Sequence, residues 1–311
     1  MARTVVLAVG GNALAPSGLG DHEEAERLAR GVASVAADML ADGSRLVLVH
    51  GNGPQVGALA LAQEAVARDV PPQPLFVLGA MTQGQLGLLL TQALGDELEA
   101  RGRSRGAAAV VTQVVVDPED PAFQNPTKPI GPFFPEGRAR RLAEARGWSV
   151  AEDAGRGWRR VVPSPMPIEV VEREQIDLLL DRNDAIVACG GGGIPVRRAD
   201  AGLEGVEAVI DKDHTAALLA RLIGADTLLL VTGVDRVALD FGTERQREVA
   251  EMSLEEARGH LADGQFPAGS MGPKVEAAIG FVEDGGEVAV ITSLEHAPSA
   301  VAGRTGTRIV R

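Results

Sequence analysis

Short apolar runs alternate along the chain with longer segments whose apolar residues recur at helical spacing. This alternation predicts parallel strands joined by crossover helices, an α/β fold with an open, mainly parallel central sheet and helices on both faces. Val5 to Val9 has no polar interruption, so it is expected to be a central strand covered on both sides. Residues 21–42 read as a helix with Leu28, Val32, Val35, Ala36, Met39 and Leu40 on its apolar stripe. A strand over 46–49, a turn at 50–54, a helix running to Arg68, a helix over 83–100 and a strand over 107–116 follow. Further on, the pattern predicts a helix over 169–181, strands at 185–189, 208–210, 227–231 and 288–291, and helices at 213–223, 253–262 and 272–283.

Residues 117–166 interrupt this rhythm. Pro118, Pro121, Pro126, Pro129 and Pro132 forbid a helix or a central strand in the first part of the segment. Both tryptophans of the chain, Trp148 and Trp158, fall in the same stretch. The expectation is one domain spanning 1–311 with a small inserted, protruding subdomain at 117–166.

The chain has 311 residues, enough for a sizeable core without staples. Its formal charge of −13 argues against a nucleic-acid or anionic-membrane partner, because both repel a net negative field. A small-molecule partner is expected instead. The single cysteine, Cys189, rules out an internal disulfide framework and fits a reducing compartment. No run approaches the length of a membrane span, and a cytoplasmic protein is expected.

Three glycine-rich turns, Gly10-Gly11-Asn12, Gly51-Asn52-Gly53 and Gly190 to Gly193, each follow an apolar strand. Such turns bring bare backbone N–H groups to the carboxyl edge of a parallel sheet, where helix N-termini also favour anions. Neither common nucleotide fingerprint is present: the chain has no Gly-Lys dipeptide, and no turn completes Gly-x-Gly-x-x-Gly. Lysines are few and stand in unusual company. Lys128 lies between Thr127 and Pro129, Lys212 between Asp211 and Asp213, and Lys274 just after Gly272-Pro273. Each reads equally well alone as a solvated surface charge. Together with the glycine turns they suit phosphoryl transfer, where the protein supplies position and positive charge. Asp213 is placed to hold the lysines. Cys189, ending an apolar strand, reads as an inert core thiol, and the scattered histidines give no metal-ligand spacing.

Longer motifs carry a resemblance. His50-Gly51-Asn52-Gly53-Pro54-Gln55-Val56-Gly57, Ala80 to Gly84, Asn125-Pro126-Thr127-Lys128-Pro129-Ile130-Gly131-Pro132, Glu152 to Arg159, Cys189 to Val196, Val206 to Asp213 and Pro267 to Lys274 together resemble the carbamate kinases, a group within the amino acid kinase family. The resemblance covers nearly the whole length. It implies reversible phosphoryl transfer between ATP and carbamate, giving ADP and carbamoyl phosphate, with Mg2+ carried on the nucleotide. A homodimer and a place in arginine metabolism are implied too, whether the reaction consumes carbamoyl phosphate or supplies it. The wider family has a lysine on the first strand, whereas this chain has Ala8-Val9 there, and the resemblance assigns the missing charge to Lys128.

By the same resemblance, Gly10, Gly11, Asn12, Gly51, Asn52 and Gly53 seat carbamate and the transferred phosphoryl group. Lys128, Lys212 and Lys274 neutralise its oxygens, and Asp213 orients the lysines. The nucleotide is expected over Thr232, Gly233 and Asp235 and beside Met271 and Pro273. No protein ligand to a metal is expected. Carbamate is an anion with a nucleophilic oxygen, so no general base is needed. The alternatives are a related kinase acting on a different carboxylate such as acetylglutamate, an inactive nucleotide-binding sensor, and, more distantly, a dinucleotide oxidoreductase.

Overall fold

The computed structural model describes residues 3–10, 21–40, 43–103, 106–153, 155–267 and 269–311. In chain order its strands are β1 (Thr4–Val9), β2 (Arg45–His50), β3 (Ala107–Ala109), β4 (Gln113–Val116), β5 (Lys128–Phe134), β6 (Ser149–Glu152), β7 (Trp158–Val162), β8 (Pro167–Val170), β9 (Ala185–Val187), β10 (Ile194–Ala199), β11 (Gly202–Gly205), β12 (Thr227–Thr232), β13 (Val237–Leu239), β14 (Arg247–Val249), β15 (Glu251–Ser253), β16 (Val288–Ser293) and β17 (Thr307–Val310). The α-helices are α1 (His22–Met39), α2 (Gly53–Ala65), α3 (Leu75–Ala100), α4 (Glu136–Arg146), α5 (Arg173–Leu180), α6 (Lys212–Leu222), α7 (Leu254–Ala262), α8 (Met271–Glu283) and α9 (Ala297–Val301).

The main sheet has the order β15-β17-β16-β12-β1-β2-β9-β3. All strands from β16 to β3 run parallel, and the β15/β17 pair at the other edge runs against them. β1 is central and apolar throughout because both of its faces are covered. Val5, Leu7 and Val9 pack with α1, α3 and α9, while Val6 and Ala8 pack with α6 and α8. Helices therefore lie on both faces, as expected. Parallel register aligns Val9 with His50 and Thr232 with Ser293, so Gly10, Gly51 and Gly233 all follow strand ends at one carboxyl edge.

Between β4 and β8 the chain forms the antiparallel sheet β5-β7-β6 and helix α4. β5 is an edge strand, which accommodates Pro129 and Pro132. Arginines stack on the aromatic rings of this segment: Arg140 lies 5.0 Å from the centre of Trp158, and Arg146 and Arg160 lie 5.1 and 5.0 Å from Trp148. The unit docks on α2. Ile130 and Val162 share an apolar cluster with Val56, Ala60, Leu75 and Leu78, and Arg146 and Arg160 both pair with Glu64, at 2.8 and 3.1 Å.

Several elements depart from the sequence pattern. The run 107–116 is two strands in two sheets, because Gln83 captures the backbone of Thr112 between them, accepting from its N–H at 2.8 Å and donating to its carbonyl at 3.1 Å. β4 then joins the sheet β11-β10-β4-β8. α3 begins at Leu75, directly after Pro74, rather than at 83. The predicted helix 169–181 is β8 followed by α5. Residues 208–210 are not a strand; Val209 donates to the carbonyl of Pro163 as the chain approaches α6.

Candidate functional site

The N-terminus of α6 is set by Asp211, whose Oδ1 accepts from the Asp213 N–H at 2.8 Å and caps the helix. That cap places Lys212 at the first helical position, where the helix dipole disfavours a cation. Two carboxylates compensate. Lys212 Nζ lies 3.1 and 3.0 Å from the two oxygens of Asp213, and the charge of Asp211 adds to the effect. Lys274, in the first turns of α8, donates to Asp213 Oδ2 at 2.8 Å, and Lys128, at the start of β5, donates to Asp211 Oδ2 at 2.5 Å. The chain contains three lysines, and all three meet here.

Asp213 and Lys274 are buried, at 3% and 7% exposure. Burial raises the Asp213 carboxyl, but the Lys212 and Lys274 charges outweigh it and hold it below the usual range. Asp211 behaves alike: Lys128 and Lys212 overcome burial and keep its carboxyl well below the usual range. Burial lowers Lys212, yet Asp213 and Asp211 reverse this and raise it. Lys274 is lowered, by burial and by the charge of Lys212. Three ammonium groups against two carboxylates leave one positive charge over, with the Lys274–Asp213 end buried and the Lys128–Asp211 end partly open to solvent.

The glycine turns bring backbone to this cluster. A Cβ on Gly10 would stand 4.0 Å from Lys212 Cε, and one on Gly53 would stand 3.4 Å from the Pro129 carbonyl oxygen and 3.9 Å from Arg159 Nη2. Gly51 N donates to the Val9 carbonyl at 2.8 Å, tying the ends of β1 and β2. Asn52, 4% exposed, donates from Nδ2 to Thr82 Oγ1 at 2.8 Å. Gly11 and Asn12 lie outside the described residues.

Gly190 to Gly193 play a different part. These residues are buried; a Cβ on Gly190 would collide with His50, on Gly191 with Asn52, on Gly192 with the Ile210 carbonyl and on Gly193 with Val114. Gly192 and Gly193 spend their N–H groups on the carbonyls of Cys189 and Gly190. This turn is a packing hub, and two of its four N–H groups are spent on local carbonyls. Cys189 before it is buried, with its thiol pushed up by burial, in keeping with an inert core residue. His50 is buried too, and burial pulls it down to about 4, so it is neutral near pH 7.

Thr232 ends β12, with Gly233 and Asp235 in the turn beyond. Hydrogen bonds from Ser293 and His296 hold the Asp235 carboxyl below its usual value, His296 Nδ1 lying 2.9 Å from Oδ1. Met271 and Pro273 form the first turn of α8, just before Lys274. Asp213 touches Lys212 and Lys274 but not Lys128, which belongs to Asp211. Sequence reading passed over Asp211, although the residue was inside a quoted motif and at the cap position that orients the whole turn. It also passed over Arg159, buried at 5%, which donates to the Gly131 carbonyl at 2.9 Å and pairs with Asp153 at 3.0 Å.

Comparison with known proteins places this geometry in context. The model of the amino acid kinase family matches residues 3–293. A carbamate kinase of Pyrococcus furiosus is 49% identical over 313 residues, spanning 100% of each chain. The solved carbamate kinase from Giardia lamblia bound to citric acid superposes with a TM-score of 0.94 at 43% identity, covering 99% of this chain and 98% of that one. A second structure of a Giardia lamblia carbamate kinase, bound to AMP-PNP, gives a TM-score of 0.90 at 42% identity with coverage of 99% and 98%.

Proposed function

The chain belongs to the amino acid kinase family, in its carbamate kinase branch, and from that premise we propose that it interconverts ATP and carbamate with ADP and carbamoyl phosphate. The observation that carries this reading is the convergence of all three lysines on two neighbouring aspartates, Asp213 buried and Asp211 partly so, at the carboxyl edge of the sheet.

Two anions must meet for the reaction to occur. A carbamate oxygen attacks the γ-phosphorus of ATP, the bond to the β–γ bridging oxygen breaks, and ADP leaves with that oxygen. No proton moves, so positioning and charge neutralisation are what the protein supplies. Lys212 and Lys274, locked by Asp213, and Lys128, locked by Asp211, neutralise the equatorial and leaving oxygens. Gly10, Gly11, Asn12, Gly51, Asn52 and Gly53 seat carbamate and the transferred group. Thr232, Gly233, Asp235, Met271 and Pro273 line the place for the nucleotide. Loss of one such cation costs about 3 kcal/mol of transition-state stabilisation.

Magnesium supplies further positive charge at the phosphates. Asp211 and Asp213 already carry lysines, so the donor set suits an ion that arrives with the nucleotide, held by phosphate oxygens and water. Residues 117–166 act, in this reading, as an inserted unit of one domain that delivers Lys128 to the site. A homodimer, a cytoplasmic location and a place in arginine metabolism belong to the same proposal. Met81 and Leu88 stand 47% and 57% exposed on α3, apolar surface of the kind a second copy covers.

Phosphorus NMR of the protein with ATP, magnesium and, in turn, carbamate, acetylglutamate and acetate tests the acceptor. Carbamoyl phosphate formed from carbamate, with the other acids silent, is the expected result. Phosphorylation of acetylglutamate instead would move the protein to a neighbouring branch, and nucleotide binding with no transfer would make it a sensor.

A further inference from the structure

Asn52 sits at the head of α2 with its side-chain amide laid flat on Gly191, where a Cβ would collide with Nδ2, Cγ and Oδ1 alike. The plane of the amide is thereby fixed, and what remains open is which end points where. Thr82, buried on α3, settles that. Its hydroxyl donates to the Gly79 carbonyl at 2.8 Å, which leaves only lone pairs for a second partner. Asn52 must therefore donate to it, and Nδ2 does so at 2.8 Å. The opposite end, Oδ1, accepts no hydrogen bond among the described residues. Gly53, next in the chain, faces Pro129 and Arg159 across the cradle.

The acceptor of the proposed reaction differs from other small carboxylates by its amino group, which offers two N–H donors and no comparable acceptor. An amide oxygen pairs with that group and is left unpaired against a methyl. We infer that Thr82 is a positioning residue: by committing its proton to Gly79 it turns Asn52 Oδ1 toward the substrate, and so makes the site select carbamoyl phosphate over acyl phosphates that lack the N–H donor. This rests on the carbamate kinase reading.

The test compares kcat/KM for ATP formation from ADP with carbamoyl phosphate and with acetyl phosphate, in the wild type, Thr82→Val and Thr82→Ser. Taking the ratio between variants cancels the intrinsic reactivity of the two donors. The wild type should prefer carbamoyl phosphate. Thr82→Val frees the amide to turn over and should lose about tenfold of that preference, mainly through KM, as one hydrogen bond allows. Thr82→Ser keeps the hydroxyl and should restore it. Thr82→Ala gives the same comparison where valine does not fold. An unchanged ratio in Thr82→Val, or a wild type with no preference, would overturn the inference while the kinase reading stands. A folded wild type that makes no ATP from carbamoyl phosphate would overturn both.

Discussion

Replacing Gly57 by alanine puts one methyl group between two backbones. Gly57 lies on α2 against Gly131 of β5, and an added Cβ would stand 2.8 Å from the Ile130 carbonyl carbon and closer still to N and Cα of Gly131. Carbon contacts are comfortable only from about 3.5 Å, so β5 must retreat by roughly 1 Å or more. Neither side can yield by a rotamer change, because both obstacles are main chain. Lys128 begins the same strand, three residues before Gly131, and would be drawn from the oxygen of Asp211 that it now meets at 2.5 Å. A displacement of about 1 Å at a catalytic group can cost on the order of 100-fold in rate. The overpacking itself should cost about 1–3 kcal/mol, small enough for the main sheet to survive. Initial rates of ATP formation from ADP and carbamoyl phosphate, measured beside a thermal melt, separate the two effects. A folded Gly57→Ala protein with kcat down by about 100-fold is expected. A kcat within twofold of wild type, from protein that melts cooperatively, would refute the claim that α2 sets the position of Lys128.

Other perturbations probe the same arrangement. Asp211→Asn keeps an oxygen to cap α6 but leaves Lys128 without its anion; turnover should fall about 10- to 100-fold, the worth of a charge-assisted hydrogen bond, with helix content by circular dichroism unchanged. In the proposed mechanism Lys274 acts as an ammonium, and it is held below the usual 10.5 by burial and Lys212. The alkaline fall of kcat/KM should therefore come below that pH, and bound phosphate, which favours the ammonium, should shift the fall in kcat upward; coincident limbs near 10.5 would remove Lys274 from the rate. His50, near 4 when folded and 6.5 when not, takes up a proton on unfolding between those values, so stability should drop as pH falls from 6.5 toward 4, by up to about 3 kcal/mol. Urea titrations at several pH values measure that slope, and a His50→Gln protein should flatten it.

The sheet was legible because strands such as Val5 to Val9 are buried on both faces and admit no polar residue. The strand ends at Gly10 and Gly51 were legible for a related reason: each closes such a strand, and parallel register brings them together. What stayed hidden depends on contacts between distant residues. Nothing local in 107–116 announces a break at Thr112; it is Gln83 that makes it. The tetraglycine at 190–193 has the composition of an anion cradle, yet its missing side chains serve the approach of His50, Asn52, Ile210 and Val114. Lys128 and Asp211 are 83 residues apart, and their pairing exists only once β5 has docked on α2.

The central claim is that lysine charge, gathered on Asp211 and Asp213, drives phosphoryl transfer to and from carbamate. It is tested most directly by ATP formation from ADP, magnesium and carbamoyl phosphate, with wild-type protein and Lys274→Ala side by side. Ready ATP formation by the wild type and a loss of about 100- to 1,000-fold in the variant are expected. Folded wild type that binds ADP but forms no ATP, or a variant that turns over as fast as its parent, would contradict it.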